Sequence, residues 1–161
     1  ELSRIESGNM SFHCEDCSAH HFAETVYQTH QVIILPPVEF IKEFPDEDVT
    51  IHIDRMRLTQ VITNFLGNAK KFTSQGHIKL GYFCDKEKKE IHIFVEDTGA
   101  GIPKEELQMI FERFYKRNEF VQGVGLGLAI SKVIVEKMNG HIDVQSEVNK
   151  GSRFTAVLPY L

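Results

Sequence analysis

Basic charge is in short supply in this chain. Eighteen Lys and Arg against 23 Asp and Glu leave a net charge of −5 over 161 residues, the wrong sign for a surface that holds phosphate backbones, so nucleic acid is not its main partner. Long apolar runs are missing as well. The longest aliphatic run, Val32 to Leu35, has four residues, where roughly 20 are needed to cross a bilayer, and no basic-then-apolar signal opens the chain. Cysteine numbers three, odd and sparse, which argues against a disulfide scaffold and for a reducing compartment. The expectation is a soluble, cytoplasmic piece. What is present is ordinary: 42% hydrophobic and 25% charged residues suffice for one domain with a proper core.

The opening Glu1 to Asn9 has Leu2 and Ile5 three apart and stops near Gly8, as at the cut end of a longer helix. The alternation Met10, Phe12, Cys14 predicts a short strand, after which Ser18 caps a helix carrying Phe22 and Val26. Strands are predicted at Val32 to Leu35, Val38 to Phe44 and Val49 to Ile53, broken by Pro36, Pro37 and Pro45. The clearest helix runs from Asp54 to Lys71, where Leu58, Val61, Ile62, Phe65, Leu66 and Ala69 recur at spacings of three and four. His77 to Cys84 and Glu90 to Glu96 read as a hairpin with a charged tip. A short helix entered through Pro103 follows, with Glu105 and Glu106 in its first turn. Leu126 to Met138 is a helix stopped by Asn139 and Gly140, and His141 to Glu147 with Arg153 to Leu158 form a closing hairpin turned through Asn149, Lys150 and Gly151. The pattern predicts an α/β two-layer sandwich, helices packed on one face of a mixed, mostly antiparallel sheet.

Four stretches carry residue types suited to chemistry. On the Asp54 to Lys71 helix, Asn64 and Asn68 lie one above the other, with Lys71 a turn beyond. They are either solvent-facing polar residues or, through a neutral amide oxygen, ligands for a hard cation such as Mg²⁺. Asp97, Thr98, Gly99, Ala100, Gly101, Ile102, Pro103 ends a strand. It is either a tight turn or a place where a backbone approaches a ligand while the carboxylate accepts from an exocyclic amine such as that of adenine. Gly123, Val124, Gly125, Leu126, Gly127, Leu128 leads into a helix, the usual setting for phosphate on backbone N–H groups. Its spacing is not Gly-x-Gly-x-x-Gly, and no Gly-Lys-Ser or Gly-Lys-Thr exists for a P-loop. Between these lie Ile110 to Lys116, whose aromatics read as core, and the polar stretch Arg117 to Gln122; the basic Lys116 and Arg117 could meet phosphate, and the polar stretch fits a lid. Separately, Cys14 and Cys17, near His13, His20 and His21, are assigned to packing rather than to a metal site.

Together these stretches resemble the catalytic ATP-binding domain of two-component sensor histidine kinases, within the superfamily of gyrase, heat-shock chaperone and mismatch-repair ATPases. Asn64-Phe-Leu-Gly-Asn68-Ala-Lys-Lys71-Phe72-Thr73 is similar to that family's N box, Asp97 to Pro103 to its first glycine box, Phe111 to Lys116 to its F box, and Gly123 to Leu128 to its second glycine box. Residues 10–161 would then be the catalytic domain, with the Bergerat-type ATP-binding fold, and residues 1–9 the end of the dimerisation helix. The resemblance implies ATP and Mg²⁺ as ligands, with Asn68 on the metal, Asn64, Lys71 and Lys116 near the phosphates, and Asp97 on the adenine amine. Gly99, Gly101 and Ile102 would shape the base pocket, and Gly123, Gly125, Leu126 and Gly127 would border the triphosphate.

The superfamily's hydrolytic members carry a Glu four residues before the metal-binding Asn. Here Asn64 stands there, which favours phosphoryl transfer over hydrolysis. None of the eight His is followed by the family's acceptor pattern, so the implied partners are an upstream dimerisation and phosphoacceptor helical domain and, through its His, a response regulator receiver domain. The fragment alone is expected to be a monomer and the full-length protein a homodimer, its membrane anchor, where it has one, lying outside this stretch. Val124 replaces the usual Thr of the second glycine box, and the stretch from Tyr115 to Gly123 is short for a lid. A degenerate nucleotide-binding or partner-docking module is therefore the main rival, and a serine-directed relative such as an anti-sigma-factor kinase a third.

Overall fold

The computed structural model describes residues 11–112 and 127–161. The opening helix end therefore lies outside the described residues, as do Lys116, Gly123, Gly125 and Leu126. The order of elements follows the hydrophobic periodicity closely. A strand β1 (Glu15–Ser18) leads into helix α1 (Ala19–Gln31), followed by β2 (Val38–Glu43), β3 (Thr50–Ile53), helix α2 (Arg55–Phe72), β4 (Gly76–Asp85), β5 (Glu90–Asp97), a 3₁₀ turn (Lys104–Glu106), helix α3 (Gly127–Lys137), β6 (His141–Glu147) and β7 (Gly151–Pro159). Five strands form one mixed sheet in the order β2-β4-β5-β7-β6, in which only β2 and β4 run parallel. β1 and β3 pair antiparallel in a separate two-stranded ribbon.

The helices start where side-chain oxygens satisfy their free N–H groups. Ser18 accepts from the backbone N–H of His21 at the start of α1, and Asp54 accepts from that of Arg57 at the start of α2. The stripe Leu58, Val61, Ile62, Phe65, Leu66, Ala69 is buried to 2% exposure or less against the sheet face made by alternate residues such as Ile78 and Leu80 of β4 and Ile91, Ile93 and Val95 of β5, with Phe65 meeting Phe154 at 5.4 Å between ring centroids. Burying each such side chain stabilises the fold by about 1.5 to 3 kcal/mol.

Four local expectations fail, each for a physical reason. Val32 to Leu35 is not a strand: Ile33 and Ile34 donate to the carbonyl of His30 to close α1, and Pro36 and Pro37 lack the N–H groups a ladder needs. Only Ile34 of that run is buried, while Val32 and Leu35 are 77% and 62% exposed. The expected first strand does not include residues 11–14 and runs from Glu15, because its ladder is set by the four-residue β3, with Glu15 opposite Ile53; Met10 lies outside the described residues. Cys14 consequently falls before the strand and is exposed, whereas Cys17 is buried as expected, its thiol pKa pushed up by that burial. The helix expected after Pro103 is a single 3₁₀ turn in which Glu106 donates to the carbonyl of Pro103.

Candidate nucleotide site

Strand alternation decides where the acidic residue of the first glycine stretch goes. Residues 91, 93, 95 and 97 of β5 share one face, so Asp97 continues the row Ile91, Ile93, Val95 toward the helix layer and is only 7% exposed. A carboxylate there must be hydrogen-bonded. Its Oδ1 accepts the backbone N–H of Gly99 at 2.9 Å. Burial lifts the pKa of Asp97 above the ordinary carboxylate range, and the N–H groups of Gly99 and Ser152 and the hydroxyl of Thr73 pull it part of the way back.

The turn that follows is threaded between two fixed walls. On one side Ala100 donates to the carbonyl of Phe72, the last residue of α2. On the other, Asn149 in the β6 to β7 turn donates to the carbonyl of Ala100 at 2.8 Å, and Ile102 donates to the Ser146 hydroxyl at 2.7 Å. Two glycines make the passage possible. A Cβ on Gly99 would overlap the Phe72 carbonyl, and Gly101 has φ +73° with its open side against the Glu147 carbonyl. A left-handed residue with no room for a side chain is a strict demand for glycine. Gly101→Ala should therefore cost roughly 3 kcal/mol of stability, from the left-handed penalty plus overpacking; denaturant unfolding with a midpoint close to that of the parent chain would show the turn to be freer than this.

On α2, Asn64, Asn68 and Lys71 fall on one side of the helix, and the structure gives them different duties. Asn64 is half-buried, and its Nδ2 donates to the Gly127 carbonyl and to the Ser131 hydroxyl, both at 3.1 Å. Ser131 is fully buried and donates in turn to the Gly127 carbonyl at 2.8 Å. The carboxamide of Asn64 thus clips α2 to the start of α3. One turn on, Asn68 is half-buried and has no side-chain hydrogen bond among the described residues, and Lys71 is exposed. Asn68 fits a Mg²⁺ ion in that respect: its neutral amide oxygen is not committed to any other described residue, and such ions take a few protein oxygens and keep several waters.

The arrangement therefore joins Asp97, Gly99, Gly101 and Ile102 to the C-terminal end of the helix that carries Asn64, Asn68 and Lys71, with Gly127 attached through Asn64. Lys116, Gly123, Gly125 and Leu126 lie outside the described residues. Two contributors were assigned no role from the sequence, although Thr73 closes the stretch similar to the N box. Ser131 sits at an apolar position of α3, and Thr73, 4% exposed, holds a buried hydroxyl with no hydrogen-bond partner at ordinary geometry among the described residues.

Comparison with known proteins was made on the sequence and on the fold. Residues 53–161 match the histidine kinase-, DNA gyrase B-, and HSP90-like ATPase family. The chain is 34% identical to the sensor histidine kinase WalK of Bacillus subtilis (strain 168) over 99% of its own length, and spans 27% of that protein. It is 44% identical to the sensor protein SrrB of Staphylococcus aureus (strain NCTC 8325 / PS 47) over 66% of its length, spanning 19% of that protein. Among solved structures, full-length ShkA in complex with AMPPNP superimposes with a TM-score of 0.89 at 26% identity, covering 99% of this chain and 34% of that one.

Proposed function

Since the chain belongs to the family of histidine kinase-, DNA gyrase B- and HSP90-like ATPases, we propose that it is the ATP-binding catalytic part of a sensor histidine kinase, moving the γ-phosphate of ATP to a His on a separate helical domain. The observation that carries this reading is the buried Asp97 carboxylate, held by Gly99 and set beside the end of the Asn64 to Lys71 helix. It has the chemistry to accept from the exocyclic amine of adenine, where guanine presents a carbonyl; the charged hydrogen bond lost to guanine is worth roughly 1.5 to 3 kcal/mol. The relatives named a sensor histidine kinase and a sensor protein, and the ShkA complex with AMPPNP, point the same way.

In this reading Asn68 holds Mg²⁺, which supplies charge neutralisation for the phosphates when bound. Asn64 fixes the start of α3 beside the nucleotide, and Lys71 and Lys116 face the phosphates. Gly123, Gly125, Leu126 and Gly127 offer backbone N–H groups to the same charge. The acceptor imidazole nitrogen forms the new N–P bond as the bond to the β-phosphate oxygen breaks, and ADP leaves with the charge of that oxygen. Asn64, spent on Gly127 and Ser131, is no base for water. Transfer is thereby favoured over hydrolysis. The wider scheme is a homodimeric sensor kinase that passes phosphate onward to a response regulator, with this part in the cytoplasm; among the described residues no helix is long and apolar enough to cross a membrane.

The test mixes this chain with the helical domain encoded upstream of it and supplies γ-labelled ATP. The expected result is label on one His of that domain, through an acid-labile, base-stable bond, with little label on this chain and slow release of free phosphate. Tight ATP binding without transfer, even when the two parts are fused in native order, would favour the degenerate binding module, for which Val124 and the short stretch from Tyr115 to Gly123 are the sequence arguments.

A further inference from the structure

Thr73 caps the C-terminal end of α2. Thr73 is 4% exposed, and its Oγ1 is sealed from solvent with no hydrogen-bond partner at ordinary geometry among the described residues. A hydroxyl left in that state is uncommon in a folded chain and asks for a reason. It adjoins the two groups that matter most for reading the base. A Cβ added to Gly99 would lie 2.7 Å from Thr73 Oγ1, so the absent side chain of Gly99 is what leaves the hydroxyl its space. The hydroxyl and the Asp97 carboxyl thus flank the same glycine, one against its Cα and the other on its N–H, and the hydroxyl offsets part of the rise that burial causes in the pKa of Asp97. Asp97 in turn commits Oδ1 to the Gly99 N–H at 2.9 Å.

We propose that Thr73 is a positioning residue for Asp97: its hydroxyl donates to the carboxylate when nucleotide is seated, holding that carboxylate ionised and turned toward the exocyclic amine of adenine. The proposal rests on the reading of Asp97 as the acceptor for the base. A hydroxyl rotor can make this bond by rotation of the O–H and a small shift of the side chain. The other groups that face the carboxyl are the N–H of Gly99 from the turn, the N–H of Ser152 from β7, and Glu96 on β5 itself, whose negative charge opposes ionisation. Thr73 is the contribution of α2. It ties the base-reading carboxylate to the helix that carries Asn68.

Thr73→Val keeps the shape and removes the hydroxyl, and Thr73→Ser keeps the hydroxyl. ADP affinity of both is measured by calorimetry from neutral pH down through the acid range in which a carboxylate raised by burial takes up its proton, alongside thermal unfolding without nucleotide. Affinity needs the ionised form of Asp97, so it falls as pH drops through the pKa of that group. Thr73→Val should bind ADP about fivefold more weakly near neutrality, with the fall on acidification displaced to higher pH, while Thr73→Ser follows the parent chain in both. In an Asp97→Asn background Thr73→Val should add no further loss. Parent-like affinity and pH profile in Thr73→Val overturn the proposal, as does a further full loss in the Asp97→Asn background. Should Thr73→Val fail to fold, Thr73→Cys, with a weak S–H donor in place of O–H, carries the same comparison, and an undisplaced profile overturns the proposal. Normal ADP binding by Asp97→Asn alone would instead remove the reading of Asp97 on which it rests.

Discussion

Asp97→Asn should weaken ADP binding at least tenfold, about 1.4 kcal/mol, while leaving the nucleotide-free fold intact or slightly more stable. The two halves of that result come from the same geometry. The Gly99 N–H already occupies Oδ1. An Asn at this position must keep its oxygen there to preserve the turn, which puts its NH₂ where the base-reading oxygen was. A donor then faces the donor amine of adenine. On the stability side, burial raises the pKa of Asp97 in the fold, so at neutral pH the charged form works against folding and is relieved only as pH falls through that raised value. A neutral amide removes the cost at neutral pH. Affinity for ADP in the parent chain should show the opposite dependence, declining with acidification as the acceptor is protonated. Calorimetry and thermal unfolding of the pair separate these effects, and ADP affinity unchanged in Asp97→Asn would take Asp97 out of base recognition.

The same residue shows how far the sequence could be read. The row Ile91, Ile93, Val95, Asp97 places a carboxylate on the buried face by period alone, and the stripe from Leu58 to Ala69 locates α2 within a residue or two at each end. Both signals are local, because each depends on side chains a few positions apart. What could not be read is set by partners far away in the chain. The parallel pairing of β2 with β4, Val38 opposite Gly76, leaves no trace in either segment. The exposed run Val32 to Leu35 has strand composition, and only the adjoining helix and the two prolines exclude it from a sheet. At the site, the spacing of Asn64 and Asn68 makes them look equivalent. They differ because Asn64 meets Gly127 and Ser131, 63 and 67 positions on, and Asn68 meets neither. Thr73 is hidden for the same reason, since the burial of its hydroxyl arises from the turn at Gly99.

That difference between the two asparagines sets up the second large effect. Asn68→Ala should leave thermal unfolding without nucleotide within a few degrees of the parent, because a half-buried side chain with no hydrogen bond among the described residues takes no bond with it when removed. Its effect belongs to the metal. With Mg²⁺ present, ATP affinity should fall by an order of magnitude or more, roughly 1.4 kcal/mol, whereas affinity measured in chelator should barely change, since the missing amide oxygen is a ligand for the ion. Asn64→Ala should show the reverse pattern. It leaves the buried Ser131 hydroxyl and the Gly127 carbonyl without the Nδ2 donor, at a stability cost on the order of 1 to 3 kcal/mol, and weakens ATP binding with and without Mg²⁺ alike through the altered seating of α3. Titrations of ATP in Mg²⁺ and in chelator, run on both variants, give four numbers. An Asn68→Ala chain that loses affinity equally in both media, or that unfolds many degrees early, would make Asn68 a structural residue and leave the metal to another ligand.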